Sequence, residues 1–286
     1  IYTIFFKFFF YNKINFINND LNLIIFSSMT MMVVGLIDDK YNPSVSIKLL
    51  LQFFPIFYLV FFSDLYLVDL GKYKFFTTEL NNFAPFFTLG CIFLIINSTN
   101  YFDGLDGSLI FTFLTSISIL IYLTYDNQHY KNFLICLSVP LFAFLFFNFR
   151  IFNFPKMFLG DSGSLMLGFI LSFFLILVAK KNIVHPIILA WSISIFVYEF
   201  LTVNLSRIYF KKKIFNAGND HIHYLIFKKT ESKFLTNLFM ISINFTLFII
   251  GYSIFLYFDS FFSLISFIIF FFIYLIFWLS LNIKEK

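Results

Sequence analysis

The chain has 286 residues, 60% of them hydrophobic, 24% aromatic and only 12% charged, with a net charge of +5 and a mean hydropathy of +0.89. A soluble domain carries about 25% charged residues, so the composition excludes a freestanding soluble protein. The positive balance then reads as a marker of membrane sidedness rather than a nucleic-acid footprint.

Residues 1–10 (IYTIFFKFFF) read as the tail of a span already begun. With Ile1 in first place and no cleavable signal peptide in sight, the expectation is a chain that lacks its natural N-terminus. A span needs about 20 apolar residues, about 17 at the short end. Candidate spans then fall near 21–37, 46–62, 83–99, 107–125, 132–149, 163–179, 186–208, 233–257 and 260–281. The fold class expected is all-α: a polytopic transmembrane helical bundle of about nine complete spans plus an N-terminal partial span, forming one integral membrane domain over residues 1–286. Pro55, Pro140 and Pro186 lie in or beside spans, where membrane helices tolerate them. Cys91 and Cys136 sit in apolar runs without a C-x-x-C spacing and read as helix packing.

Four polar segments separate these runs. The first, G-L-I-D-D-K-Y-N at 35–42, sets Asp38 and Asp39 at the close of a span. Adjacent carboxylates there need a cation or a hydrogen-bond partner, unless they simply form a solvated helix end. The second, N-S-T-N-Y-F-D-G-L-D-G-S at 97–108, packs Asn97, Asn100, Asp103 and Asp106 around two glycines that allow a tight turn and close approach of a ligand. The third, F-L-G-D-S-G-S-L at 158–165, puts Asp161 at the start of the next helix. That is an ordinary N-cap position, or a place where a cation could sit beside a phosphate. The fourth runs from Arg207 to Lys233, with K-K-K at 211–213 and H-I-H at 221–223. It reads as a positive-inside anchor or a contact for anionic groups. With no Cys or third His nearby, His221 and His223 make a weak zinc site.

Two candidate spans separate each of these segments from the next, so all four fall on one membrane face. Of the 20 Lys and Arg, 13 lie on that face and 7 opposite, which makes it cytoplasmic. Five carboxylates and several amides gathered there suit Mg²⁺, a hard cation that often bridges substrate phosphates. With lysine and histidine beside them they describe phosphoryl-type chemistry. Glu199, inside the run 186–208, is an ionisable group at membrane depth and a functional candidate by default, or else a partner for Arg207 two turns on. His129 and His185 read as solvated, and Trp191 and Trp278 as packing or interface residues.

The order G-x-x-D-D, N-x-x-N-x-x-D-G-x-D-G, F-x-G-D-x-G-S and H-x-H, from about residue 30 to 230, resembles the polyprenyl-phosphate N-acetylhexosamine-1-phosphate transferase family, glycosyl transferase family 4. The resemblance implies an enzyme that moves a sugar 1-phosphate from a UDP-sugar to undecaprenyl phosphate and releases UMP. It implies Mg²⁺, with Mn²⁺ as a substitute, at the cytoplasmic face of a bacterial inner membrane, in a chain that can form a homodimer. Asp161 would be the main magnesium ligand, with Asn100 a second contact. Asn97, Asp103 and Asp106 would serve the nucleotide and substrate, Asp38 and Asp39 the lipid phosphate, and His221 and His223 the sugar phosphate or diphosphate. Lys48 matches the lysine that follows the aspartate pair. The family's basic, glycine-rich loop after its first span is missing here, in keeping with an absent N-terminus. The fourth motif reads A-G-N-D-H-I-H-Y at 217–224 where members often have P-D-R-x-H-x-H-H, so Tyr224 replaces a histidine. The three-histidine run of the branch acting on the muramyl-pentapeptide nucleotide is lacking, which favours N-acetylglucosamine and the start of an envelope glycan such as O-antigen or a teichoic-acid linkage. Three alternatives fit less well. A CDP-alcohol phosphotransferase would need D-G-x-x-A-R after its first aspartate, where this chain has D-G-L-D-G-S. A membrane prenyltransferase would spread its aspartates as N-D-x-x-D-x-x-x-D, and a lipid transporter would hold its ionisable groups near the bilayer midplane.

Overall fold

The computed structural model describes residues 19–212 and 218–283. The partial span expected at 1–10, with Lys7 and Lys13, lies outside the described residues, as do Lys213, Lys284 and Lys286. The described chain is helical almost throughout. Helices α1 (Asn19–Tyr41) and α2 (Val45–Phe57) come first, then a hairpin of strands β1 (Asp69–Lys72) and β2 (Thr77–Glu79). The rest are α3 (Ala84–Tyr101), α4 (Ser108–Leu123), α5 (Gln128–Asn148), α6 (Gly160–Lys180), α7 (Pro186–Ser192), α8 (Ser194–Tyr209), α9 (Ile222–Thr230), α10 (Lys233–Tyr257) and α11 (Ser260–Ile283).

Among the described residues, seven helical stretches are long and apolar enough to cross a membrane, or eight if α7 and α8 form one span. The nine expected from hydropathy are not confirmed, and two segments account for the difference. The run at 107–125 folds as α4, with 16 residues, about 24 Å at 1.5 Å per residue, which is short of the ~30 Å hydrocarbon core. It still runs beside α10 along its length. Asn237 Nδ2 donates to the Asp106 carbonyl at 3.0 Å, Asn244 Nδ2 to Ser116 Oγ at 3.1 Å, and the Tyr122 and Tyr252 rings meet at 6.0 Å. The run at 186–208 breaks at Ile193 into α7 and α8, bent by 75°. There Ser192 Oγ turns back onto the Leu189 carbonyl at 2.7 Å, one way a serine relieves a backbone group freed by a kink.

Helix α6 is the centre of the bundle, packed along α1 and α3. Its residues 167–179 are buried on every side, whereas α11 keeps most of its surface for lipid. Several buried hydroxyls along the bundle bond to carbonyls of their own helix, as Thr112 does to Ser108 at 2.8 Å and Thr124 to Leu120 at 2.7 Å. This satisfies them where no water is available. The hairpin was not foreseen in the sequence. It marks the end of the bundle away from the carboxylates, where the Lys72 carbonyl accepts from Ser260 Oγ at 3.0 Å and pairs with His185 Nε2 at 3.2 Å. His185, expected to be solvated, is therefore partly buried and hydrogen-bonded, and its Nδ1 caps α7 by accepting from Ile187 N. Trp191 and Trp278 are both fully buried packing residues.

Candidate active site

Three helix ends meet at one end of the bundle: the last turn of α1, the last turn of α3 and the first turn of α6. Gly160, with φ +68°, turns the chain into α6 through a conformation that favours glycine. The free N–H groups of that first turn then point at Asp39. Asp161 N donates to Asp39 Oδ1 at 2.8 Å and Ser162 N to Oδ2 at 3.1 Å. A carboxylate from a different helix thus takes the place an anion would occupy at this N-terminus. One turn earlier on α1, a Cβ on Gly35 would collide with the Ser162 backbone, so the two helices touch main chain to main chain.

Asp38, on the inner side of the pair, is buried and joined to the ammonium of Lys48. Lys48 stands one turn into α2, and its Nζ also lies 2.7 Å from Asp161 Oδ2. Asp161 Oδ1 accepts from Asn100 Nδ2 at 2.6 Å, and Asn100 reaches Ser164 Oγ at 3.0 Å. Four residues from α1, α2, α3 and α6 therefore form one polar cluster. Asp38 and Asp39 divide the work: one is paired inside and the other, exposed, caps α6.

Beside this cluster is a cleft of about 260 Å³ whose lining includes Asp39, Asp103, Asp106, Asn148 and Asp161. Burial, reinforced by the charges of Asp161 and Asp39, pushes the Asp103 carboxyl up to about 7. Burial would raise Asp106 too, but Lys233 Nζ at 2.7 Å and Lys156 Nζ at 2.9 Å hold it below the usual carboxylate range. The D-G-L-D-G turn carrying both aspartates is tied down from three directions. Gly107 N donates to Asn148 Oδ1 at 2.8 Å, Asn237 holds the Asp106 carbonyl, and Tyr224 OH donates to the Gly104 carbonyl at 2.9 Å.

The histidine segment packs against the same turn. His221 lies 4.6 Å from the Tyr101 ring and stands parallel to His223 at 5.8 Å. His223 is completely buried, with neither ring nitrogen hydrogen-bonded among the described residues. Burial and the neighbouring His221 keep its pKa well below the ordinary value, so it stays neutral. Arg207 pairs with Asp220 through two nitrogens, at 3.0 and 2.6 Å. The partner of Arg207 considered from sequence was Glu199, but Glu199 instead faces His221, Ile222 N and Tyr274.

The structure thus brings together Asp38, Asp39, Lys48, Asn100, Asp103, Asp106 and Asp161, with His221 adjoining. Asn97 is not in the cleft: it is buried one turn deeper on α3, with Nδ2 on the Phe93 carbonyl at 2.7 Å. His223 lies behind Tyr224 and Phe102. Sequence reading passed over Lys156, Lys233, Asn148 and Asn237, and noted Tyr224 only as a replacement for a histidine. The two lysines counted only as sidedness markers, and nothing in the spacing of the others pointed to the turn they hold.

The donors fit a hard divalent cation in kind: carboxylates and an amide, with no sulfur. No group of three or more His, Cys, Asp or Glu among the described residues is close enough to enclose a metal. An ion held here would take one or two carboxylates from the protein and complete its shell with phosphate oxygens and water, the usual arrangement for Mg²⁺.

Fold and site together define a polytopic membrane protein with a carboxylate–lysine cluster at one end of its bundle. The family model described as "Glycosyl transferase family 4" matches residues 21–179, more than half the chain, and the chain belongs to that family. It is 27% identical over 205 residues to an undecaprenyl-phosphate alpha-N-acetylglucosaminyl 1-phosphate transferase of Escherichia coli O157:H7, covering 69% of this chain and 56% of that protein. It is 30% identical over 205 residues to a probable undecaprenyl-phosphate N-acetylglucosaminyl 1-phosphate transferase of Bacillus subtilis (strain 168), covering 68% and 54%. A Salmonella typhi protein with the same name as the first is 26% identical over 217 residues, covering 73% and 58%. The chain spans about half the length of the curated relatives it matches.

Proposed function

We propose that this chain transfers N-acetylglucosamine 1-phosphate from UDP-N-acetylglucosamine to undecaprenyl phosphate, releasing UMP, as the first step of an envelope glycan. The observation that carries the reading is the joining of Asp38, Lys48, Asp161 and Asn100, from four helices, beside a cleft with three more carboxylates. The names of the relatives supply the acceptor and the sugar. In the reaction an oxygen of the lipid phosphate attacks the β-phosphorus of the nucleotide sugar. The bond from that phosphorus to the α–β bridging oxygen breaks, the bridging oxygen leaves with UMP, and the sugar remains on the lipid diphosphate.

Asp161, with Asn100, would hold Mg²⁺, and Mn²⁺ would substitute. Bound there, the ion would neutralise the diphosphate so that a second anion can approach. Lys48 meets a phosphate oxygen from the opposite side while keeping Asp38 compensated. Asp39, the exposed member of the pair, takes the proton of the lipid phosphate. Asp103 and Asp106 face the nucleotide end, and His221 meets the diphosphate. The cytoplasmic face of a bacterial inner membrane is the setting, supported by the excess of Lys and Arg at this end.

The test is release of UMP by the chain in lipid nanodiscs, with undecaprenyl phosphate, Mg²⁺ and a panel of UDP-sugars. Turnover with UDP-N-acetylglucosamine that EDTA abolishes supports the reading. Absence of turnover with every UDP-sugar would sink it.

A further inference from the structure

Glu199 is an acid with no exposed surface, set in α8 among apolar side chains, and the transfer chemistry above makes no use of it. A buried carboxylate is costly unless it is fully partnered, and this one is. Tyr274 OH, from α11, donates to Oε2 at 2.7 Å, and Ile222 N, the first residue of α9, donates to Oε1 at 2.9 Å. The third partner is His221 Nδ1, 3.3 Å from Oε1. Both oxygens already accept, Oε2 from Tyr274 OH and Oε1 from Ile222 N, which places the imidazole nitrogen facing Oε1 as a further donor. In that arrangement the ring is the Nδ1–H tautomer and Nε2 is the nitrogen left to meet a ligand. Nε2 has no hydrogen-bond partner among the described residues, and it is not among their buried unpartnered atoms. The ring is packed against Tyr101 at 4.6 Å and lies parallel to His223 at 5.8 Å, which restricts its rotation.

The C-terminal helix completes the arrangement. Four residues beyond Tyr274, Trp278 Nε1 donates to the Asp220 carbonyl at 3.0 Å, immediately before His221. Two contacts from α11 thus clamp the histidine segment, one through Glu199 and one through the backbone. Glu199, Asp220, His221, Tyr274 and Trp278 lie outside the segment 21–179 matched by the family model.

We propose that Glu199, anchored by Tyr274, is the positioning residue for His221: it accepts a hydrogen bond from Nδ1–H and aims Nε2 at the anionic oxygens of the substrate diphosphate. The proposal rests on the transfer reaction above for its consequence, but not for its geometry. With Nδ1–H held on Glu199, Nε2 is the nitrogen that shares a proton with a phosphate oxygen of the bound substrate. A merely structural Glu199 would cap α9 without setting the tautomer.

The experiment has two arms on the whole chain in nanodiscs. In the first, ¹⁵N-histidine spectra at pH 8, with His221→Gln to assign the signal among four histidines, are expected to show His221 protonated at Nδ1 and bare at Nε2, and Glu199→Leu should lose that pattern. In the second, Glu199→Gln should lower kcat for UMP release about 10–100-fold while KM for the UDP-sugar moves far less, and Glu199→Asp should recover part of the loss. Tyr274→Phe removes one hydroxyl and should lower kcat about fivefold, the equivalent of one hydrogen bond, and it serves if the Glu199 variants do not fold. His221 protonated at Nε2 in the unmodified chain overturns the proposal, as does Glu199→Gln or Tyr274→Phe with unchanged kcat. If the unmodified chain releases no UMP, the transfer reaction falls, and the spectra alone decide whether Glu199 sets the ring.

Discussion

Two polar clusters stand side by side at the same end of the bundle and are built on opposite terms. In the first, Lys48 alone compensates Asp38 and Asp161, while Asp39 and Asp103 add further negative charge around an open cleft. In the second, Glu199 is buried with both oxygens hydrogen-bonded, to three partners in all, and Arg207 is matched to Asp220. An under-compensated, solvent-reached set of carboxylates is suited to taking in a cation together with an anionic substrate. A saturated, buried set is suited to holding one imidazole still.

Substitutions can push either cluster toward the character of the other. The largest effect is expected from Asp161→Asn, which removes the charge shared by Lys48 and Asn100. UMP release should fall about 1,000-fold, as when a preorganised electrostatic contact is lost, and full activity would remove Asp161 from the site. Next comes Lys48→Met. Breaking a largely buried pair costs about 3 kcal/mol, so thermal unfolding should come earlier, and added Mg²⁺ should restore more stability to the variant than it adds to the parent. A smaller, pH-dependent effect is expected from Asp103→Asn measured in EDTA. The folded carboxyl titrates at about 7 against an ordinary value of 3.8, so it stabilises the fold only below about 3.8 and that contribution is lost as pH rises through 7. The variant should therefore gain on the parent between pH 4 and 7 in denaturant titrations and hold a constant advantage above that. The smallest effect belongs to Lys233→Ala. Lys233 is nearly half exposed and Lys156 still faces Asp106, so its loss should cost under about 1 kcal/mol.

The same contrast explains what the sequence could tell. Asp38, Asp39, Asn100, Asp103, Asp106 and Asp161 were legible because polar residues at the ends of apolar runs stand out, and an even count of crossings puts them on one face. The parity argument survived although one of its crossings, α4, is too short by length alone and another is broken at Ile193. Nine spans are not confirmed by length and composition among the described residues, because a hydropathy window averages over a 75° bend as readily as over a straight helix. The second cluster was hidden. Glu199, Tyr274 and Trp278 are single residues in separate apolar runs, and nothing in their spacing brings 199 beside 221 and 274. Asn97 misled for the reverse reason. It belongs to a polar motif, but three residues along a helix from Asn100 it drops nearly a full turn and ends on its own backbone.

The contact at Gly35 bears on how such a chain can diverge. With 51 phenylalanines, much of the lipid-facing surface consists of one bulky residue type, and exchanges among apolar side chains there are cheap. The spacing from Asp38 and Asp39 to Asp161 does not pass through that surface. It is fixed where the main chain of α1 rests on the main chain of Ser162. The exterior is therefore free to drift in composition while the chemistry keeps its ruler, and a single added methyl group at residue 35 would disturb the site more than many changes on the membrane side.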